Sequence, residues 1–164
     1  MVIKKLTRAY NREEFDCGEE SLNDFLRTKA RKWAENGMGV TRVALPSHDN
    51  PTIIGYYTLA ASSLDCSAMP TRKPGPRQVP TILLGRLAID TKYQGLGAGE
   101  RLLIHALKRA ERFSRVIGAS CVVVDALHDK AESFYKRYGF INLLDKDHHL
   151  FLPMETISNL LLNR

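Results

Sequence analysis

Cysteine is scarce in this 164-residue chain: Cys17, Cys66 and Cys121 are odd in number, widely spaced, and form no C-x-x-C pair. This usage excludes a disulfide scaffold and the common zinc or dithiol spacings, and it is typical of a reducing compartment. No neighbouring histidine marks a thiolate site, so each cysteine reads as a small buried hydrophobe. Long apolar runs are also missing. Lys4, Lys5 and Arg8 stand among Val2, Ile3 and Leu6 with no hydrophobic stretch behind them, and no later run approaches a bilayer span. We therefore expect a cytoplasmic protein with no membrane partner. Acidic residues are in the minority, 18 against 24 lysines and arginines, leaving a formal charge of +6. That excess favours an anionic partner by long-range attraction, although solvated basic faces would produce it as well. Repeats and low-complexity segments are absent. An apolar share of 44% with 26% charged residues is ordinary globular usage, and the length suits one core, so a single domain over residues 1–164 is expected.

Periodicity places the elements. Residues 1–7 read as a short β-like piece, and Leu22, Phe25, Leu26, Ala30, Trp33 and Ala34 share one face of a helix over residues 19–36. Strands are expected at residues 40–45 and 53–59, then a basic surface loop over 62–80, rich in proline and carrying Arg72, Lys73 and Arg77. A strand at 81–89 runs through a glycine loop into a long helix marked by Leu102, Leu103, Ala106, Leu107, Ala110 and Phe113. Further strands are expected at 121–124, 140–143 and 150–153, with a short helix at 130–138 that ends at Gly139. Strands first, then β-α-β-α-β, give an α/β fold with a mixed sheet flanked by helices.

The sharpest chemical signal is Gln94-Gly95-Leu96-Gly97-Ala98-Gly99 at a strand-to-helix junction. Glycines there let backbone N–H groups converge on an anion at the positive helix end, as a phosphate or pyrophosphate requires. Two familiar phosphate loops are excluded. Position 100 is Glu, not the sixth-position glycine of the dinucleotide fingerprint, and no Gly-Lys-Ser/Thr follows.

Leu87-Ala88-Ile89 followed by Gln94-x-x-Gly97-x-Gly99 resembles the acetyl-coenzyme A signature of the GNAT acetyltransferases. The resemblance implies a mixed, mostly antiparallel sheet with splayed central strands. It also places the pantetheine of acetyl-CoA along Leu87, Ala88 and Ile89, and the pyrophosphate in the loop Gln94, Gly95, Leu96, Gly97, Ala98 and Gly99. Phe15-Asp16-Cys17-Gly18, Leu22-Asn23-Asp24-Phe25-Leu26, Ile54-Gly55-Tyr56-Tyr57, Leu84-Gly85-Arg86-Leu87-Ala88 and Phe134-Tyr135-Lys136-Arg137-Tyr138-Gly139-Phe140 are similar to blocks of the GNAT toxins of bacterial toxin-antitoxin pairs, over about residues 2–155. That branch acetylates the α-amino group of aminoacyl-tRNA and so blocks translation. Its implied partners are a ribbon-helix-helix antitoxin and a second copy of the chain.

Moving an acetyl group from a thioester to an amine needs a neutral amine and a proton for the departing thiolate. The resemblance gives the second task to Tyr138, whose phenol, with an ordinary pKa of about 10, carries its proton at neutral pH. Tyr135, one turn earlier, is expected to line the cofactor wall. The strand at 81–89 offers no carboxylate as general base. This favours an α-amino group, with a pKa of about 7.7 to 8.0, over a lysine at about 10.4. Asp125 and Asp129 are lesser candidates for a base, and Asp125 is expected to cap the turn into the helix at 130–138.

Arg72, Lys73, Arg77 and Arg86 are the candidates for gripping tRNA phosphates, with Arg27, Arg31 and Lys32 on the first helix behind them. Lys108, Arg109, Arg112 and Arg115 read as a solvated helix face. No metal is expected, because adjacent strand residues such as His148 and His149 point to opposite faces. Two other readings stay open at this stage: a GNAT enzyme for a small-molecule or protein amine, and a non-catalytic basic nucleic-acid-binding module.

Overall fold

Among the described residues, β-branched and aromatic runs set seven strands: β1 (Val2–Lys5), β2 (Val40–Leu45), β3 (Gly55–Asp65), β4 (Gln78–Ile89), β5 (Cys121–Asp125), β6 (Ile141–Asn142) and β7 (His149–Pro153). The computed structural model describes residues 1–71 and 74–164. Its strands form one mostly antiparallel sheet in the order β1-β2-β3-β4-β5-β7-β6. β4 and β5 run in parallel, from Thr81 opposite Cys121 to Leu84 opposite Val124. β4 then continues to Ile89, beyond the end of that ladder. Cys121 to Val124 are all 3% exposed or less, which explains their unbroken apolar run.

The described residues divide into two compact units, Met1–Ala60 with Gly85–Ala106 and Ala61–Leu84 with Leu107–Arg164. The first has a core of Phe15, Phe25, Leu26, Val43, Leu45, Ile53, Tyr56 and Ala88, against which Leu22 and Trp33 pack. The second is built on Leu64, Ala68, Cys121, Val123, Leu143 and Phe151. All three cysteines are free and buried, as expected of small hydrophobes.

Several boundaries differ from the sequence reading, each for a physical reason. The first helix is not uniform: α1 (Glu20–Asp24) passes through a π-helical turn at Phe25–Lys29 into α2 (Ala30–Glu35). There the Ala30 N–H donates to the Phe25 carbonyl five positions back, and the wider turn shifts the phase of the helix while Phe25 and Leu26 stay buried at 1% and 0% exposure. β3 extends past residue 59 to Asp65, and β4 begins at Gln78, so both strands reach into the stretch expected as a basic loop. Its base is closed by the Cys66 N–H donating to the Arg77 carbonyl (2.8 Å). Asp65 accepts from the Ser67 N–H (2.9 Å) and from Arg77 Nε (3.0 Å), and these bonds hold its carboxyl at about 2.

The long helix α3 (Ala98–Ile117) buries Leu102, Leu103, Ala106, Leu107 and Ala110, but Phe113 is 45% exposed and does not belong to the core face. α4 (Asp129–Lys136) is capped by His128, whose Nδ1 accepts from the Ala131 N–H (3.2 Å). Asp125 instead pairs with Lys146 (2.9 Å), so its expected capping role is corrected. A last helix, α5 (Met154–Leu162), follows β7; the sequence reading ended with a strand at Pro153 and missed it.

Candidate active site

β4 brings Arg86, Leu87, Ala88 and Ile89 to the loop in series, with Ala88 buried and the other three half-buried. Asp90 then caps the turn Thr91–Tyr93 by accepting from the Lys92 N–H (2.9 Å). Gly95 and Gly97 have φ of +76° and +82°, the region where a side chain is costly. A Cβ at either would meet nothing within 4 Å, so the glycines serve backbone shape and open access rather than tight packing. The Arg101 N–H donates to the Gly97 carbonyl (3.2 Å) and starts the α3 ladder. The amides of Gly97, Ala98 and Gly99 precede that bond and sit at the positive end of the helix, an anion-binding arrangement. Ala98 faces inward at 8% exposure, while Leu96 is 75% exposed. Gln94 turns its side chain to protein carbonyls, donating from Nε2 to Ile89 O (2.8 Å) and Cys17 O (3.1 Å).

Tyr138 lies just past the end of α4 in the second unit, where its N–H donates to the Tyr135 carbonyl (3.0 Å). Gly139 follows with φ +95° and ends the helix. The half-buried Tyr138 ring stands edge-on to Phe134 with centroids 5.2 Å apart, and the Arg164 guanidinium lies 5.9 Å from it. Tyr135 is 7% exposed between Phe134 and Phe140, and burial raises its phenol pKa.

The basic candidates part ways. Arg72 and Lys73 lie outside the described residues. Arg77 is committed to Asp65. Arg86 is different: its guanidinium lies 3.6 Å from the Phe25 ring centroid and 5.0 Å from that of Trp33, and burial lowers its pKa. A stacked, planar cation of this kind suits phosphate recognition. The platform was missed in the sequence because Phe25 and Trp33 read only as core positions, although Phe25 lies in one of the quoted blocks. On the first helix, Arg27 pairs with Glu20 and Arg31 with Glu35. On α3, Arg115 Nε bonds Glu111 (2.7 Å) and Arg109 lies over Phe113, as a solvated face would.

His148 and His149 take separate partners, Glu132 (2.5 Å) and Asp145 (2.8 Å). Asp129, Glu132 and His148 do converge, with ligand-type atoms within 4.8 Å of one another. Lys136 already places a cation 2.7 Å from Glu132, however, and holds its carboxyl at about 2 together with Asn142 and His148. The cluster reads as an ion-pair network.

Residues 47–142 match the family described as Acetyltransferase (GNAT) domain. The tRNA-acetylating toxin of Mycobacterium tuberculosis is 36% identical over 154 residues, covering 93% of this chain and 91% of the relative. The structure of AtaT complexed with acetyl-methionyl-tRNAfMet aligns with a TM-score of 0.91 at 35% identity, over 98% of each chain. That of a tyrosine-to-phenylalanine mutant of the AtaT toxin, bound to the C-terminus of the antitoxin AtaR and acetyl-CoA, aligns at 0.85 and 34% identity, over 98% of this chain and 97% of the other. A strand, left-handed glycine loop and helix N-terminus in this order, within a mixed sheet of this topology and with such relatives, place the chain among the GNAT acetyltransferases.

Proposed function

We propose that this chain transfers the acetyl group of acetyl-CoA to the α-amino group of aminoacyl-tRNA and thereby removes charged tRNA from translation. The observation that carries this reading is the open glycine loop at the positive end of α3, in a chain similar along nearly its whole length to a toxin solved with an acetylated aminoacyl-tRNA. The amides of Gly97, Ala98 and Gly99, with Gln94, Gly95 and Leu96 shaping the loop, hold the pyrophosphate, and the backbone of Leu87, Ala88 and Ile89 carries the pantetheine. The amine attacks the thioester carbonyl, the C–S bond breaks, and the thiolate takes the Tyr138 phenolic proton. The proton lost by the amine passes to water, since β4 supplies no carboxylate and an α-amino group near a pKa of about 8 is already partly neutral.

Arg86, stacked on Phe25 and Trp33, is the best-founded of the basic candidates for a phosphate at the acceptor end of the tRNA. Residues 1–164 act as one acetyltransferase domain, with β3, β4 and α3 each running through both units. A ribbon-helix-helix antitoxin and a second copy of the chain are the macromolecular partners, and the cytoplasm is the site of action. Support for the first comes from the relative bound to the C-terminus of its antitoxin. Among the described residues no helix is long and apolar enough to cross a membrane.

The direct test incubates the protein with radiolabelled acetyl-CoA and a pool of charged tRNAs. Label is expected in tRNA and, after mild hydrolysis of the ester, in an N-acetylated amino acid. Label confined to free amines or proteins would reject the tRNA reading and leave a small-amine or protein acetyltransferase.

A further inference from the structure

The turn Phe15-Asp16-Cys17-Gly18 and the side chain of Asn23 take no part in the reaction above, yet hydrogen bonds tie both to the cofactor loop. The Asp16 N–H donates to Asp90 Oδ2 (3.1 Å), and the Thr91 N–H donates back to the Asp16 carbonyl (2.8 Å). Asn23 joins from α1: its Nδ2 donates to Asp16 Oδ1 (2.9 Å), and its Oδ1 accepts from the Cys17 N–H (2.9 Å). Gln94 completes the circuit by donating to the Cys17 and Ile89 carbonyls. Asn23 and Asp90 are only 3% and 5% exposed, and the partners assigned to the Asp90 carboxylate are backbone N–H groups. Asn23 and Asp90 lose free energy if a partner shifts, because they are buried, and the exposed Asp16 and Gln94 are tied to this fixed pair and to the backbone around it.

We propose that Asp16, Asn23, Asp90 and Gln94 form a positioning network that holds the cofactor loop in its phosphate-binding shape. The proposal rests on the reading that residues 94–99 receive the pyrophosphate. It explains why the motif glutamine directs its donors at protein carbonyls rather than outward. Gly95 and Gly97 would find no contact within 4 Å even with a Cβ, so side-chain packing cannot define the loop. The conformational freedom of two glycines must be restricted by something else, and Gln94 fixes the residue before them to the Ile89 and Cys17 carbonyls. The network begins on α1, which leads directly into the turn carrying Phe25, so the loop and the Arg86 platform share one anchor.

The test measures coenzyme A affinity by calorimetry and steady-state kinetics on the full chain. Gln94→Met keeps the side-chain length, removes both donors and adds no charge. It should raise the Kd for coenzyme A and the KM for acetyl-CoA together by about tenfold. Asn23→Ala should raise the same Kd, and the double variant should equal the larger single effect, since both act through one network. As a structural control, Thr41→Val alone takes from the buried Thr58 hydroxyl the partner it has at 2.7 Å across β2 and β3, and should lower stability without moving this Kd. An unchanged Kd in Gln94→Met, or additive effects in the double variant, would overturn the proposal. Gly97→Asp separates it from its premise, because a carboxylate there meets the pyrophosphate directly. If Gly97→Asp abolishes coenzyme A binding and Gln94→Met does nothing, only the positioning role fails. If neither changes the Kd, the loop is not the cofactor site and both readings fail.

Discussion

A phenol held edge-on by Phe134 and followed by a left-handed glycine has little freedom to reorient, which is what a proton donor to a departing thiolate needs. Tyr138→Phe keeps the ring and its packing and deletes only the acidic hydroxyl. Turnover on aminoacyl-tRNA should fall by about 10² to 10⁴, with coenzyme A affinity intact. Parental turnover in a pre-steady-state assay would move the role elsewhere, with Tyr135 next to test. Arg86 makes a different demand. Arg86→Lys keeps the charge but loses the planar stack on Phe25 and Trp33. KM for aminoacyl-tRNA should rise several-fold, while Arg86→Ala should in addition lower the salt slope of binding by about 1. Filter-binding titrations over a range of salt decide this, and a wild-type slope in Arg86→Ala would remove the residue from the tRNA footprint.

At the level of elements, the close approach of β3 to the end of β4 depends on one missing methyl. A Cβ on Gly55 would lie 2.6 Å from Ile89 Cδ1, 2.7 Å from Leu102 Cδ1 and 2.9 Å from the Ala88 carbonyl. Gly55→Ala should cost about 1–3 kcal/mol in urea denaturation and weaken coenzyme A binding, because it displaces the backbone of Ala88 and Ile89, the proposed pantetheine edge. Undiminished affinity in a destabilised variant would dissociate that edge from the cofactor. α4 supplies a pH-dependent case. Its Glu132 bonds His148 and raises the imidazole pKa, with Asp129 and Asp147 adding to the effect. Because the folded value lies above the ordinary one of about 6.5, the contribution is complete below that pH and is lost as pH rises through the folded value. His148 has φ +58°, so His148→Asn, which tolerates that conformation, is the suitable variant. The stability gap between wild type and His148→Asn should be constant below about pH 6.5 and shrink as the pH rises above it. A gap independent of pH would show that the pair is not charged.

For the whole molecule, a ligand that binds only the folded chain must stabilise it. Acetyl-CoA at about 100 times its Kd should add about 2.7 kcal/mol and raise Tm by about 5 °C or more. Differential scanning fluorimetry with and without acetyl-CoA checks this, and no shift at saturation would favour a basic module with no cofactor over an enzyme.

What the amino-acid order determined by itself was whatever acts over a few residues. The three glycines after Gln94, the amphipathic stripe of α3, the unbroken apolar β5 and the Tyr138-Gly139 helix end are local signals. They revealed the strand-loop-helix motif, the acid candidate and the family before any coordinates. Only tertiary structure decided the rest. The π-helical turn at Phe25–Lys29 leaves no signature in the helical periodicity, and β3 continues through exposed Ser62 and Ser63 because sheet pairing outweighs their weak strand preference. Arg86 found its platform from residues more than fifty positions upstream, and the network of Asp16, Asn23, Asp90 and Gln94 joins groups more than seventy positions apart. Contacts of that range leave no periodicity in the chain. Only packing brings together a stacked cation or a satisfied buried carboxylate from residues so far apart.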